Sequence, residues 1–173
     1  MIIVLIGYMG SGKSTIGKEL ATSLSYSFLD LDDYISDQEK ASISDIFRTK
    51  GEIYFRKIET KYMEEVLNSS ENIVLALGGG TPCYGKNMDL LIDNANVKSF
   101  YLKLSVSLLA TRLFRERAKR PLISHLNTEE ELLEFTGKHL FERSYYYNKA
   151  QTVLSTDHKT KEEILKDLLT HLI

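Results

Sequence analysis

The chain has 173 residues, with 22 basic and 24 acidic side chains for a formal net charge of −2, and 43% of its residues are hydrophobic. That length and balance fit one domain spanning residues 1–173 with a full buried core. They exclude a general basic field for nucleic acid or an anionic membrane, so any anion site must be local. Cys83 is the only cysteine, which leaves no internal disulfide and no Cys-based zinc site. No apolar run approaches the ~18 residues of a membrane span. Met1 leads directly into a short strand without a basic leader. A cytoplasmic monomer is the expectation.

IIVLI (2–6) is an unbroken apolar run, as a parallel strand buried on both faces requires. It leads into GYMGSGKS (7–14), which fits G-x-x-x-x-G-K-[ST] with a strand before it and a helix, 14–24, after it. Gly7, Gly10 and Gly12 let the backbone turn tightly and aim successive N–H groups at one point. With the positive end of the following helix, that cradle suits a phosphate chain. Gly10, Ser11, Gly12, Lys13, Ser14 and Thr15 are therefore the expected nucleotide contacts. Lys13 can reach the β and γ phosphates, and the Ser14 hydroxyl can ligate magnesium.

The second strand, 26–32, ends in LDLDDY. Alternation along a strand puts Asp30 and Asp32 on one face, near the carboxyl ends of the strands, where ligands of parallel sheets gather. One carboxylate could hold magnesium through water and the other accept a hydroxyl proton. All three acids could instead start the helix expected at 33–40, with Asp33 as its cap or first-turn acid. In the helix expected at 52–68, Arg56 and Glu59 are i, i+3 neighbours, which a surface ion pair would also explain. Phe47 and Phe55 suit either a pocket wall or the core.

After the strand at 72–78, Gly78, Gly79 and Gly80 offer close backbone approach and unhindered N–H donors, or a plain flexible turn. A helix (86–93), a strand (97–104) and a helix (105–117) lead to RLFRERAKRP. There Arg112, Arg115, Arg117, Lys119 and Arg120 place five cations within nine positions, as a solvated helix end would. A helix at 128–148 carries Arg143 in HLFERSYYY, with Tyr145, Tyr146 and Tyr147 expected to pack it onto the sheet. A strand at 151–155 and a helix at 160–172 follow. The four histidines lack metal-ligand spacing.

Strand and helix alternate throughout, which implies an α/β fold with a mainly parallel sheet. The GTPase strings D-x-x-G and N-K-x-D are absent, and a motor or transporter ATPase needs more chain. A small kinase acting on a free molecule remains.

GYMGSGKSTIG, LDLDDYI, F-R-K-I-E (55–59), LALGGGT and R-P-L-I (120–123) occur in the order found in shikimate kinases. The chain resembles that family from residue 2 to about 155. The phosphate loop is generic; the combination is specific. The resemblance implies a P-loop kinase of the nucleoside monophosphate kinase type. Its fold would be five parallel strands in the order 2-3-1-4-5 flanked by helices, with a substrate region near 32–60 and a mobile lid near 112–126. It implies transfer of the γ-phosphoryl group of ATP, with Mg²⁺, to the 3-hydroxyl of shikimate in aromatic amino acid biosynthesis. Asp32 would then receive the substrate hydroxyls as candidate base, and Asp30 would position magnesium. Arg56, oriented by Glu59, and Arg143 would meet the carboxylate, and the N–H groups of Gly78, Gly79 and Gly80 the ring hydroxyls. Arg120 would meet the transferring phosphate. Arg112 would stack on adenine, with Arg115 the alternative because the spacing to Arg120 is one residue longer than usual in the family. STDHKT, after the last strand, departs from the family pattern. The rival readings are a gluconate-type or nucleotide kinase and a non-catalytic nucleotide-binding module.

Overall fold

The five consecutive apolar side chains of IIVLI can all be buried only at the centre of a sheet covered on both faces, and that is where they lie. The structure, a computed structural model, describes residues 1–172. Strand β1 (Ile2–Ile6) is flanked by β3 (Ile73–Ala76) and β4 (Val97–Lys103), with Ile2 opposite Ile73 on one side and Val97 on the other. β2 (Ser27–Asp30) and β5 (Thr152–Ser155) form the edges. All pairs are parallel, in the order β2-β3-β1-β4-β5, as the resemblance implied.

The two-residue period of β1 divides the core. Ile3 and Leu5 join Ile16 and Leu20 of α1 (Lys13–Leu24) and Ile164 and Leu168 of α7 (Lys161–Leu172) on one face. Ile2, Val4 and Ile6 face the opposite layer. That layer holds α2 (Leu31–Glu39), α3 (Ile43–Leu67), α4 (Asn87–Asp93), α5 (Val106–Glu116) and α6 (Glu129–Tyr147). Every chemically suggestive residue except those of the phosphate loop lies on this second side. No helix among the described residues is long and apolar enough to cross a membrane.

Three expectations need correction. The second strand stops at Asp30, and Leu31 already begins α2. The helix expected at 52–68 starts nine residues earlier, at Ile43, because Ser42 caps it by accepting from the Asp45 N–H. Gly51, at φ 82° and ψ 172°, breaks that helix into two pieces set at an angle. Of the three tyrosines, only Tyr147 is buried, against Tyr101 at 5.1 Å, whereas Tyr145 is 67% exposed. Consecutive residues of a helix point about 100° apart, so one helix cannot turn all three to the sheet.

Glu39 ties the kink together. Its Oε2 accepts from Lys50 Nζ (3.0 Å) and the Tyr54 hydroxyl (2.8 Å), one on each side of Gly51, and its Oε1 accepts from Tyr62 (2.8 Å). These hydrogen bonds pull the Glu39 carboxyl down to about 2. At Gly51 no atom lies within 4 Å of where a Cβ would sit, so only the backbone angles demand glycine. Gly51→Ala is therefore expected to cost ~1–3 kcal/mol from backbone strain alone, read as a lower urea midpoint with unchanged slope. A midpoint that does not move would mean the kink can rotate to ordinary angles.

Candidate active site

The phosphate loop is shaped by two glycines at positive φ, Gly10 (79°) and Gly12 (94°). Gly12 is the N-cap of α1 and carries no capping side chain, so the first N–H groups of the helix are open to an anion. The Lys13 ammonium folds back over the loop, donating to the carbonyls of Gly7 (2.8 Å) and Tyr8 (3.0 Å). Burial pushes its pKa down to about 8, against the opposing pull of Asp30 and Asp32. Ser14 donates its hydroxyl to Asp30 Oδ2 at 2.8 Å.

Asp30 and Asp32 do come together, but not as alternate residues of a strand. Asp30 is the N-cap of α2, and its Oδ1 accepts the Asp32 N–H at 3.1 Å. Asp32 and Asp33 both sit in the first helical turn, so the cap is Asp30 and not Asp33. The Asp32 carboxylate lies against Gly78, where a Cβ would come 3.0 Å from Oδ1. Burial first, then the charges of Asp30 and Glu59, raise its pKa to about 6, with Lys13 opposing.

Two hollows meet at this carboxylate. A cleft of about 420 Å³ is lined by Gly10, Gly12, Lys13, Ser14 and Thr15 of the phosphate loop and α1, by Arg112 and Arg120, and by Asp30, Asp32, Gly78 and Gly79. A smaller hollow of about 210 Å³ adjoins it, walled by Arg56, Glu59, Phe47, Phe55, Gly80 and Arg143. Met9, Asp32, Gly78 and Gly79 belong to both.

Ser11 is the expected loop residue that lines neither hollow; its hydroxyl is buried without a partner and its N–H donates to the Tyr8 carbonyl (3.1 Å). Of the two candidate adenine arginines, Arg112 lines the cleft and donates to the Gly10 carbonyl at 3.2 Å, whereas Arg115 lines neither hollow. Cys83 is half-buried, and burial pushes its thiol up to about 11, away from nucleophilic use at neutral pH.

Glu59 is 1% exposed and holds two things at once. Its Oε2 accepts from Arg56 Nη1 at 2.8 Å, and its Oε1 accepts the Thr81 hydroxyl at 2.6 Å. The end of the glycine loop is thus tied to α3. Gly80 passes so close to Arg56 that a Cβ there would lie 2.9 Å from Nη2, so a side chain at this position would have to displace the guanidinium from its place beside Glu59. Arg143 projects from α6 toward Gly79. One turn before it, His139 Nδ1 shares a 2.8 Å hydrogen bond with the hydroxyl of Tyr8 in the phosphate loop; one turn after it, the Tyr147 hydroxyl donates to the Gly79 carbonyl. A single helical face, spaced i, i+4, i+8, therefore touches both loops and carries an arginine between them.

The sequence reasoning missed Glu116, which lines the cleft and accepts from Arg120 Nε (3.1 Å) and Nη2 (2.6 Å). Its i, i+4 spacing was a usable signal. It also gave no role to Thr81 and Leu122, although LALGGGT and R-P-L-I contain them, nor to Ile43, which no motif marks.

The family model for shikimate kinase matches residues 9–173. A shikimate kinase from Flavobacterium johnsoniae is 49% identical over 167 residues, covering 96% of each chain. Among solved structures, a shikimate kinase from Bacteroides thetaiotaomicron superposes with a TM-score of 0.90 at 32% identity, over 99% of this chain and 98% of its own. A shikimate kinase from Acinetobacter baumannii, solved in complex with shikimate, gives 0.85 at 31% identity over 99% and 92%.

Proposed function

The chain belongs to the shikimate kinase family of ATP-dependent P-loop kinases, and we propose that it transfers the γ-phosphoryl group of ATP to the 3-hydroxyl of shikimate, yielding 3-phosphoshikimate and ADP. The observation that carries this reading is the position of Asp32. It stands where a phosphate-loop cleft opens into a hollow holding two guanidinium groups and a run of glycine N–H donors. An acceptor bound there needs one carboxylate and several hydroxyls, which is the chemistry of shikimate.

In this reading, the open N–H groups of α1 and the loop hold the ATP phosphates, and Lys13 swings from the Gly7 and Tyr8 carbonyls onto the β and γ phosphates. Arg56 and Arg143 grip the carboxylate through charge-assisted bonds. The N–H groups of Gly78, Gly79 and Gly80 and the Asp32 carboxylate take the ring hydroxyls. Asp32 aligns the attacking hydroxyl and accepts its proton, while Lys13 and Arg120 neutralise charge on the transferring group. The Ser14 hydroxyl and the Asp30 carboxylate, 2.8 Å apart, are hard oxygen donors of the kind that suit Mg²⁺. When bound there, Mg²⁺ would supply further neutralisation of phosphate charge. Residues 32–60 serve the acceptor, Arg112 lies on the adenine side, and residues 112–126 act as a lid that excludes water. The enzyme works as a cytoplasmic monomer on two small molecules.

The test is an ADP-release assay with Mg-ATP and a panel of shikimate, quinate, gluconate and nucleoside monophosphates. Turnover is expected with shikimate; turnover with another acceptor and none with shikimate would overturn the proposal. In the same assay, Arg143→Ala should raise KM for shikimate roughly ten- to a hundredfold, the equivalent of ~1.5–3 kcal/mol, and leave KM for ATP in place. Equal damage to both constants would count against the carboxylate clamp.

A further inference from the structure

The Arg56 guanidinium is gripped by more than Glu59. The ring of Tyr84 lies over it, 3.7 Å from Cζ to the ring centroid, much closer than Phe55 at 5.1 Å or Phe47 at 6.0 Å. The Tyr84 hydroxyl donates to Glu52 Oε1 at 2.9 Å, and the same Oε1 stands 3.6 Å from Arg56 Nε. Glu52 thus joins ring and guanidinium from the side away from Glu59.

The contact arises from the chain's path after the glycines. Gly80, whose missing Cβ makes room for Nη2, precedes a single 3₁₀ turn, Thr81–Cys83, and Tyr84 follows it. That turn bends the backbone round the guanidinium, so its two ends touch Arg56 while Thr81, within it, bonds Glu59. Asn87 fastens the turn by donating to the Thr81 carbonyl at 2.9 Å and accepting from Thr60 of α3 at 2.8 Å.

Tyr84 does not line the acceptor hollow, whereas Arg56 does. An aromatic face attracts a guanidinium through the ring quadrupole and occupies none of its N–H groups. A third carboxylate would also hold Arg56, but it would take an N–H and offset the charge that an anionic acceptor needs. We propose that Tyr84, braced by Glu52, is a positioning residue for the acceptor carboxylate: it fixes the plane of the Arg56 guanidinium while leaving its remaining donors for the substrate. This rests on the shikimate reading above and adds to it a residue outside the family motifs that identified the site.

The experiment compares wild type, Tyr84→Leu, Tyr84→Phe, Arg56→Ala and the double variant Tyr84→Leu/Arg56→Ala in steady-state assays varying shikimate and ATP separately. Tyr84→Leu keeps bulk and removes the π face; it should raise KM for shikimate about three- to tenfold, with kcat and KM for ATP within about twofold. Tyr84→Phe should restore KM to within about twofold of wild type. The double variant should be no worse than Arg56→Ala, because a residue acting only through Arg56 has nothing left to position. If Tyr84→Leu is insoluble, Tyr84→Gln removes the ring with similar reach and is held to the same result.

The proposal falls if Tyr84→Leu leaves KM for shikimate unchanged in an enzyme where Arg56→Ala raises it, or if the two effects multiply in the double variant. It also falls if kcat and KM for ATP change as much as KM for shikimate, the mark of a merely structural residue. A wild-type protein inert toward shikimate would overturn the functional reading itself, and that outcome is separate from all the others.

Discussion

Asp32→Asn is expected to slow shikimate turnover by ~10²–10⁴-fold and at the same time to make the ligand-free protein more stable at neutral pH. Both effects follow from where the carboxylate sits. It is sunk between Asp30, Glu59 and Gly78, and its pKa is raised from 3.8 to about 6. A raised carboxyl pKa means that the fold favours the protonated form. The associated stability is fully present below pH ~4 and is lost as pH rises through 6. Above that, holding the anion costs on the order of 1–3 kcal/mol. Asparagine carries no such charge. Urea unfolding should therefore show the variant ahead of wild type at pH 7.5, with the difference gone near pH 4. A variant less stable than wild type at pH 7.5 would mean that Asp32 holds the fold together rather than straining it for catalysis. In wild type the same titration should appear as an acid limb near pH 6 in kcat/KM for shikimate.

Lys13→Met should reduce kcat by ~10²–10³-fold, the usual loss when one preorganised cation or donor is removed from a developing charge. The pH dependence gives the sharper check. Burial lowers the Lys13 pKa to about 8 in the free enzyme, so the neutral amine becomes the majority form above that value. In wild type, kcat/KM for ATP should then fall on the alkaline side of pH 8. Lys13→Arg keeps its charge throughout, so its residual activity should lack that fall. A wild-type profile that stays flat to pH ~9.5 would mean that Lys13 keeps its proton there and that its burial does not govern activity.

The parts of the site legible in sequence were the local ones. IIVLI followed by GYMGSGKS specifies strand, loop and helix within about two dozen residues, because buried-strand composition, glycine freedom and the helix start all act over short range. Arg56 and Glu59 were visible as an i, i+3 pair, but a pair on paper is equally a surface salt bridge. What makes it part of a site is burial of Glu59 and its second bond to Thr81, 22 positions away. Nothing local encodes that. Strand alternation predicts that Asp30 and Asp32 share a face, but the structure follows the other reading of LDLDDY, in which all three acids start a helix, with Asp30 as its cap and Asp32 and Asp33 in its first turn. The helix expected at 52–68 omits the first piece of α3, which Ser42 starts and Gly51 bends rather than ends. Tyr84 carried no motif at all, and its role depends on a turn that closes only when α3 and the glycine loop pack together.

The strand order has a consequence for how the polypeptide is made. Within this chain β1 precedes the partner of Ile2 on one side, Ile73, by 71 residues and the partner on the other, Val97, by 95. At roughly 5–20 residues per second of synthesis, IIVLI waits about 4–14 s for its first neighbour and longer for its second. Throughout that interval the five residues that end as the most enclosed strand of the protein have no sheet to enter. The phosphate loop hangs from the end of this strand, so it shares the wait for a sheet. The strand that carries the most recognisable loop thus has both its neighbours only once more than half of the chain has been made.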